Sequence, residues 1–162
     1  MTVVSKTMTR KVVLAFLNRT AFDLHSLLRK FNDTGIPEKF KERGAYAIYG
    51  SGPMALHGIR ESEDMDVLVS PEVWDFLVKN GYKPSLPDKI PLDMGLDAFN
   101  RWTNGINEHA VLSNAERANI GTGYWFASLQ DVYEWKKRRA KEKDLKDVLL
   151  IENYWREHAT SP

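Results

Sequence analysis

The chain has no cysteine, which excludes disulfide cross-links and thiolate metal centres and is compatible with a reducing cytosol. It also lacks a long apolar run. The N-terminal stretch from Val12 to Leu17 is interrupted at once by Asn18 and Arg19, too early for a secretion signal or a membrane span. Excess charge of either sign is missing as well. With 23 basic against 22 acidic residues the formal net charge is +1, so whole-molecule charge draws the protein to neither nucleic acid nor membrane, and any polyanion site has to be local. Repeats, low-complexity tracts and linker-like stretches are absent too. What is there suffices for a core: 162 residues at 43% hydrophobic content suit one compact domain, expected to be soluble and cytoplasmic with no membrane partner.

The periodicities predict a mixed architecture. Arg10 to Phe31 carries Val13, Leu17, Leu24, Leu27, Leu28 and Phe31 at helical intervals and reads as one amphipathic helix ended by Asn32 to Pro37. Strands are expected at 45–49, 65–69, 89–92, 96–99 and 124–127. Short helices are expected at 53–57 and 72–79, the second opened by Ser70 and Pro71 and stopped by Gly81. The polar stretch from Asn100 to Gly123 gives no clear pattern. Ser128 is a good N-cap for a helix to about Lys143, and Asp144 begins or continues a last one to about Glu157. The expected organisation is an N-terminal helix, a core over about 44–127 and a C-terminal helical segment over about 128–158.

The chemistry concentrates in YAIYGSGPMALHGIRESEDMDVLVS, Tyr46 to Ser70. In an extended strand alternate side chains share a face, so Asp64 and Asp66 project together while Met65 turns away. Two carboxylates aimed at one point repel each other unless a divalent cation lies between them. An all-oxygen set suits Mg2+, or Mn2+, held jointly with substrate phosphates. Upstream, Gly50-Ser51-Gly52 turns the backbone sharply and Pro53 fits the first turn of a helix, a place where free amides and a hydroxyl can receive an anion.

This segment resembles the signature of the DNA polymerase beta-type nucleotidyltransferase superfamily, and in particular small bacterial nucleotidyltransferase-like proteins. The matching positions are Gly50, Ser51, Ala55, Leu56, Gly58, Arg60, Ser62, Asp64 and Asp66. A second block, SLQDVYEWKKRRAKEKDLKDVLLIENYW, is similar to the helical ending of many such proteins through Ser128, Leu129, Asp131, Lys136, Lys143, Asp144 and Asp147. The resemblance implies an α/β (α+β) nucleotidyltransferase fold, a small mixed β-sheet flanked by helices. It also implies a third carboxylate on a later strand. KIPLDMGLDAFNRW offers Asp93 and Asp97; alternation and the Asp97-Ala98-Phe99 and Trp102 pattern favour Asp97, while Asp93 suits a hairpin.

The implied activity is transfer of a nucleoside monophosphate from an NTP to a hydroxyl or phosphate acceptor in RNA (tRNA among them), protein or a small molecule. Asp64, Asp66 and Asp97 would be catalytic and metal-holding, and Gly50, Ser51, Arg60 and Lys136 would bind nucleotide. The alternative is an inactive nucleotidyltransferase-fold module serving as an antitoxin-like partner or nucleotide sensor; toxin-antitoxin function and a homo-oligomer or partner protein completing the site fit either reading. Plainer roles stand beside these. Arg60 can pair with Glu61 or Glu63, KKRRAKEK (Lys136 to Lys143) can be a solvated helix face, and Asp144 and Asp147 can pair with lysines of their own helix. Trp102, Trp125, Trp135 and Trp155 can stack on a base or simply pack. His57, next to the Gly-Ser turn, is more simply structural.

Overall fold

The computed structural model describes residues 23–120 and 123–159. Among them are seven helices and a six-stranded mixed sheet. In chain order the elements are α1 (Leu24–Asp33), α2 (Ile36–Lys39), β1 (Tyr46–Tyr49), α3 (Gly52–Leu56), β2 (Met65–Val69), α4 (Pro71–Lys79), β3 (Lys89–Asp93) and β4 (Leu96–Phe99). Then follow α5 (Glu108–Ser113), β5 (Glu116–Ala118), β6 (Tyr124–Phe126), α6 (Leu129–Arg139) and α7 (Glu142–Glu157), and the sheet order is β3-β4-β2-β1-β6-β5.

Strand alternation distributes the core over both faces of the sheet. Tyr46, Ile48, Met65, Val67, Leu96 and Ala98 pack with Leu27, Leu28 and Phe31 of α1 and Val73 and Leu77 of α4. Ala47, Tyr49 and Leu68 point the other way, onto Met54, Val111, Leu112, Leu129, Val132, Trp135 and Ile151. Strand β1 lies antiparallel to β2, and β2 lies parallel to β4. A parallel pair needs a crossover, supplied by α4 and β3. Ser70 caps α4 by accepting from the Val73 amide, and Ser128 caps α6 by accepting from the Asp131 amide.

Three boundaries differ from expectation. Helix α1 begins at Leu24 because Asp23 is extended and caps it through the Ser26 amide, so no unbroken helix runs from Arg10; Val13 and Leu17 lie outside the described residues. Helix α6 stops at Arg139, since Ala140 takes a left-handed conformation (φ 53°), and α7 restarts at Glu142. The stretch after Asn100 holds α5 and β5. No helix among the described residues is long and apolar enough to cross a membrane.

Candidate functional site

The antiparallel β1–β2 pair brings the exit of β1 beside the entry of β2, and the parallel β2–β4 pair adds the entry of β4. Asp66 is in register with Tyr49 on one side and with Asp97 on the other, so the two carboxylates leave adjacent strands on the same face. Asp64 is exposed, one residue ahead of β2. Gly50 leaves β1 with φ +67°, and a Cβ there would lie 3.4 Å from Asp66 Oδ2, so the bend and the carboxylate are nearly in contact.

Burial pushes the Asp66 carboxyl up to about 7, helped by the charges of Asp64 and Asp97 and opposed by Lys89 and Arg139. Asp97 is also raised by burial, with Lys89 opposing and Asp64 adding. The Lys89 ammonium lies 3.6 Å from Asp97 Oδ2. Asp93 is placed differently. It registers with Leu96 beyond a bulge, is half-exposed, accepts from the Met94 amide and lies 3.8 Å from Lys30. Asp97 therefore stands beside Asp66, and Asp93 belongs to the β3–β4 hairpin.

The remaining residues singled out in the sequence are engaged elsewhere. The buried Ser62 hydroxyl donates to the Asp64 carbonyl at 2.6 Å, so the 2.6 Å contact between Ser51 and Ser62 has Ser51 as donor. The Ser51 proton thus serves to lock the loop ahead of the acids. Arg60 forks onto Asp147, from Nε to Oδ1 at 2.8 Å and from a terminal nitrogen to Oδ2 at 2.9 Å, with a further bond to the Glu61 carbonyl. Lys136, expected to reach a phosphate, is only 3% exposed and bonds Asp147 Oδ2 at 2.8 Å, with Asp144 at 3.8 Å. Arg139 forks onto Asp144 at 2.7 and 2.6 Å and lies over the Trp135 ring.

These contacts correct two readings. Lys136 faces carboxylates inside the protein, because its helix position points it between α6 and α7. Asp144 and Asp147 pair mainly across elements, where burial would raise them, yet the arginine and lysine contacts hold both carboxyls below the usual range. For Lys136 itself burial wins and lowers the ammonium despite Asp147. The rest of KKRRAKEK is mostly solvated, with Lys137 over the Tyr133 ring and Arg138 on the Gly105 carbonyl.

The tryptophans are packing residues. Trp102 meets Tyr49, Phe99 and Trp135 edge-on at ring centroids 4.6, 5.1 and 5.3 Å apart. Trp125 donates to the Lys41 carbonyl and lies under Arg43, and Trp155 packs on Tyr133. His57 contacts the Tyr154 hydroxyl. A separate cavity of about 540 Å³, lined by mixed charges from Glu38 to Arg43 with Ser70 and Glu72, opens where β1 begins and β2 ends, at the other end of these strands from the acids.

Among the described residues no three acidic or imidazole side chains are gathered closely enough to hold a metal ion as they stand. The donor set nevertheless fits one in chemistry: oxygen-only ligands, two in strand register, one raised by burial and then by the charge of the others, beside a bend with no side chain. Sequence reasoning missed Lys89 and Arg139. Lys89 reaches the site because it registers with Phe99, and the bulge between Pro91 and Asp93 hides that register from the sequence.

The described chain is thus a mixed α/β protein with an acidic cluster at one end of its sheet. No family model, no curated protein and no solved structure matches it.

Proposed function

We propose that the protein is a metal-dependent nucleotidyltransferase of the polymerase beta-type fold. One observation carries this reading: Asp66 and Asp97 leave adjoining strands in register beside the Gly50 bend, with Asp64 just ahead of β2, and burial with like charge raises the Asp66 carboxyl to about 7. These three carboxylates would hold Mg2+ or Mn2+, which when bound would neutralise triphosphate charge and stabilise the departing pyrophosphate.

The chain's own groups would do the rest. The side-chain-free bend at Gly50 lets phosphate oxygens approach the backbone next to Asp66. The Ser51–Ser62–Asp64 hydrogen bonds and the Arg60 fork onto Asp147 hold the loop that presents Asp64. The acceptor oxygen forms a bond to the α-phosphorus, the bond to the β-phosphate oxygen breaks, pyrophosphate leaves, and the acceptor proton passes to Asp97. Arg60 and Lys136 act by positioning, since Asp147 holds both.

A second reading, an inactive module that binds a partner or senses nucleotide, is favoured by the Lys89–Asp97 ion pair, which leaves the acids partly neutralised from within. One experiment separates the two. The protein is incubated with each labelled triphosphate, Mg2+ or Mn2+, and a cell extract, and label is sought in RNA, protein and small molecules. Transfer that disappears in Asp64→Asn, Asp66→Asn and Asp97→Asn variants and survives Asp93→Asn supports the enzyme. Partner capture without transfer supports the module, and transfer unaffected by Asp97→Asn overturns the site.

A further inference from the structure

Lys89 opens β3 and reaches the acidic cluster from the side opposite β1. It registers with Phe99, and Asp97 lies two residues from Phe99 on the same strand, so both belong to the face that also carries Asp66. The Lys89–Asp97 contact is 3.6 Å long and partly open to solvent, with side chains 32% and 27% exposed. Among the described residues, Arg60 and Lys136 are engaged with Asp147, and Arg139 with Asp144. Among the described residues, Lys89, an ammonium on a flexible four-carbon stem, is the cation in ion-pair contact with the carboxylates at the strand entries.

From this arrangement we infer that Lys89 is a tethered counter-ion that competes with a divalent cation for Asp97. An ammonium and a metal ion repel each other when they address one carboxylate, so the metal enters as Lys89 lets go. This inference rests on reading Asp64, Asp66 and Asp97 as the metal-holding set. It makes Lys89 a positioning residue that keeps the metal-free site intact and sets how readily metal binds.

The test measures Mn2+ binding to the purified full chain without nucleotide, from the loss of the free-ion paramagnetic resonance signal, together with thermal melting in a chelator and in Mn2+. Lys89→Met should bind Mn2+ about tenfold more tightly than wild type, by removing one nearby positive charge. It should also melt earlier in chelator and recover more on adding Mn2+. Lys89→Arg, which keeps the charge, should stay close to wild type, and Lys89→Gln carries the same expectation as Lys89→Met if the latter does not fold. In the Asp97→Asn background the gain from Lys89→Met should vanish. Equal or weaker Mn2+ binding by folded Lys89→Met overturns the role of Lys89 and leaves the metal-site reading standing. Tightening in Lys89→Arg as large as in Lys89→Met shows a steric effect and also overturns it. Absence of Mn2+ binding in wild type and every folded variant overturns both readings. Label transfer plays no part in this measurement, so its failure is scored separately.

Discussion

Two groups of aspartates occupy neighbouring parts of this molecule under opposite conditions. Asp144 and Asp147 are buried between α6 and α7 and the loop before β2, matched by Arg60, Lys136 and Arg139. Asp64, Asp66 and Asp97 stand at the sheet end, with Lys89 in contact and Arg139 acting on Asp66 only through its field. Burial raises the carboxyl in both places. In the first group the cations outweigh it and the carboxyls are lowered; in the second, like charges add to it and Asp66 rises to about 7. Charge balanced from within serves to fasten elements together. Charge left unbalanced at a sheet end, with a carboxyl displaced upward, is what the proposed metal-holding site rests on.

The largest break in this contrast comes from Asp66→Asn. Label transfer should fall by roughly ten-thousand-fold, about 5 kcal/mol of barrier, in an initial-rate assay, while the protein remains folded by circular dichroism. Transfer within tenfold of wild type would remove Asp66 from the reaction.

Next is Asp147→Ala, which leaves Lys136 buried without its closest carboxylate and releases Arg60. Urea unfolding should show a loss of about 3–5 kcal/mol, partly recovered by Lys136→Met in the same chain. A loss below about 1 kcal/mol would make the inter-helix network an exposed ion pair in energetic terms.

The pH dependence sharpens the comparison, because the two groups have opposite sign. The Asp66 carboxyl is raised to about 7 in the folded protein from an ordinary 3.8, so the folded state binds more protons in between. Its stability contribution is present below pH 4 and is lost as pH rises through about 7, a change on the order of 4 kcal/mol. Asp66→Asn should therefore be more stable than wild type at pH 8 and equal to it at pH 4, measured by urea midpoints without metal. Asp144 and Asp147 are lowered, so what they contribute is present above pH 4 and disappears as pH falls through their folded-state values. Equal midpoints for wild type and Asp66→Asn at pH 8 would count against the crowded-acid account.

The smallest effect is expected at the bend. Gly50→Ala places a side chain at φ +67° and 3.4 Å from Asp66 Oδ2, costing roughly 1–2 kcal/mol. Thermal unfolding would detect it, and an unchanged Tm would mean that the backbone there relaxes freely.

Local rules carried the sequence reading a good distance. Alternation in EDMDVLV set Asp66 opposite Met65 across the strand, although Asp64, expected on the same strand, lies in the bend just ahead of β2; Ser70 and Ser128 announced the starts of α4 and α6, and the hairpin character of Asp93 followed from its Pro and Gly neighbours. Each of those signals acts within a few residues. The 87-residue gap between Arg60 and Asp147 lies beyond any such rule, and so do the short α5 and β5, which have too few residues for a period.

The amino-acid sequence by itself determined which residues could carry charge chemistry and on which side of their own strand or helix they would stand, because backbone geometry repeats locally. Tertiary structure alone decided which charges met. Asp97 lies beside Asp66 through a parallel register, Lys89 reaches Asp97 through a bulged hairpin, and Lys136 and Arg60 turn to Asp147 where α6, α7 and the loop before β2 close together. Electrostatic energy depends on distance and burial, and neither is defined until the sheet and its helices have packed.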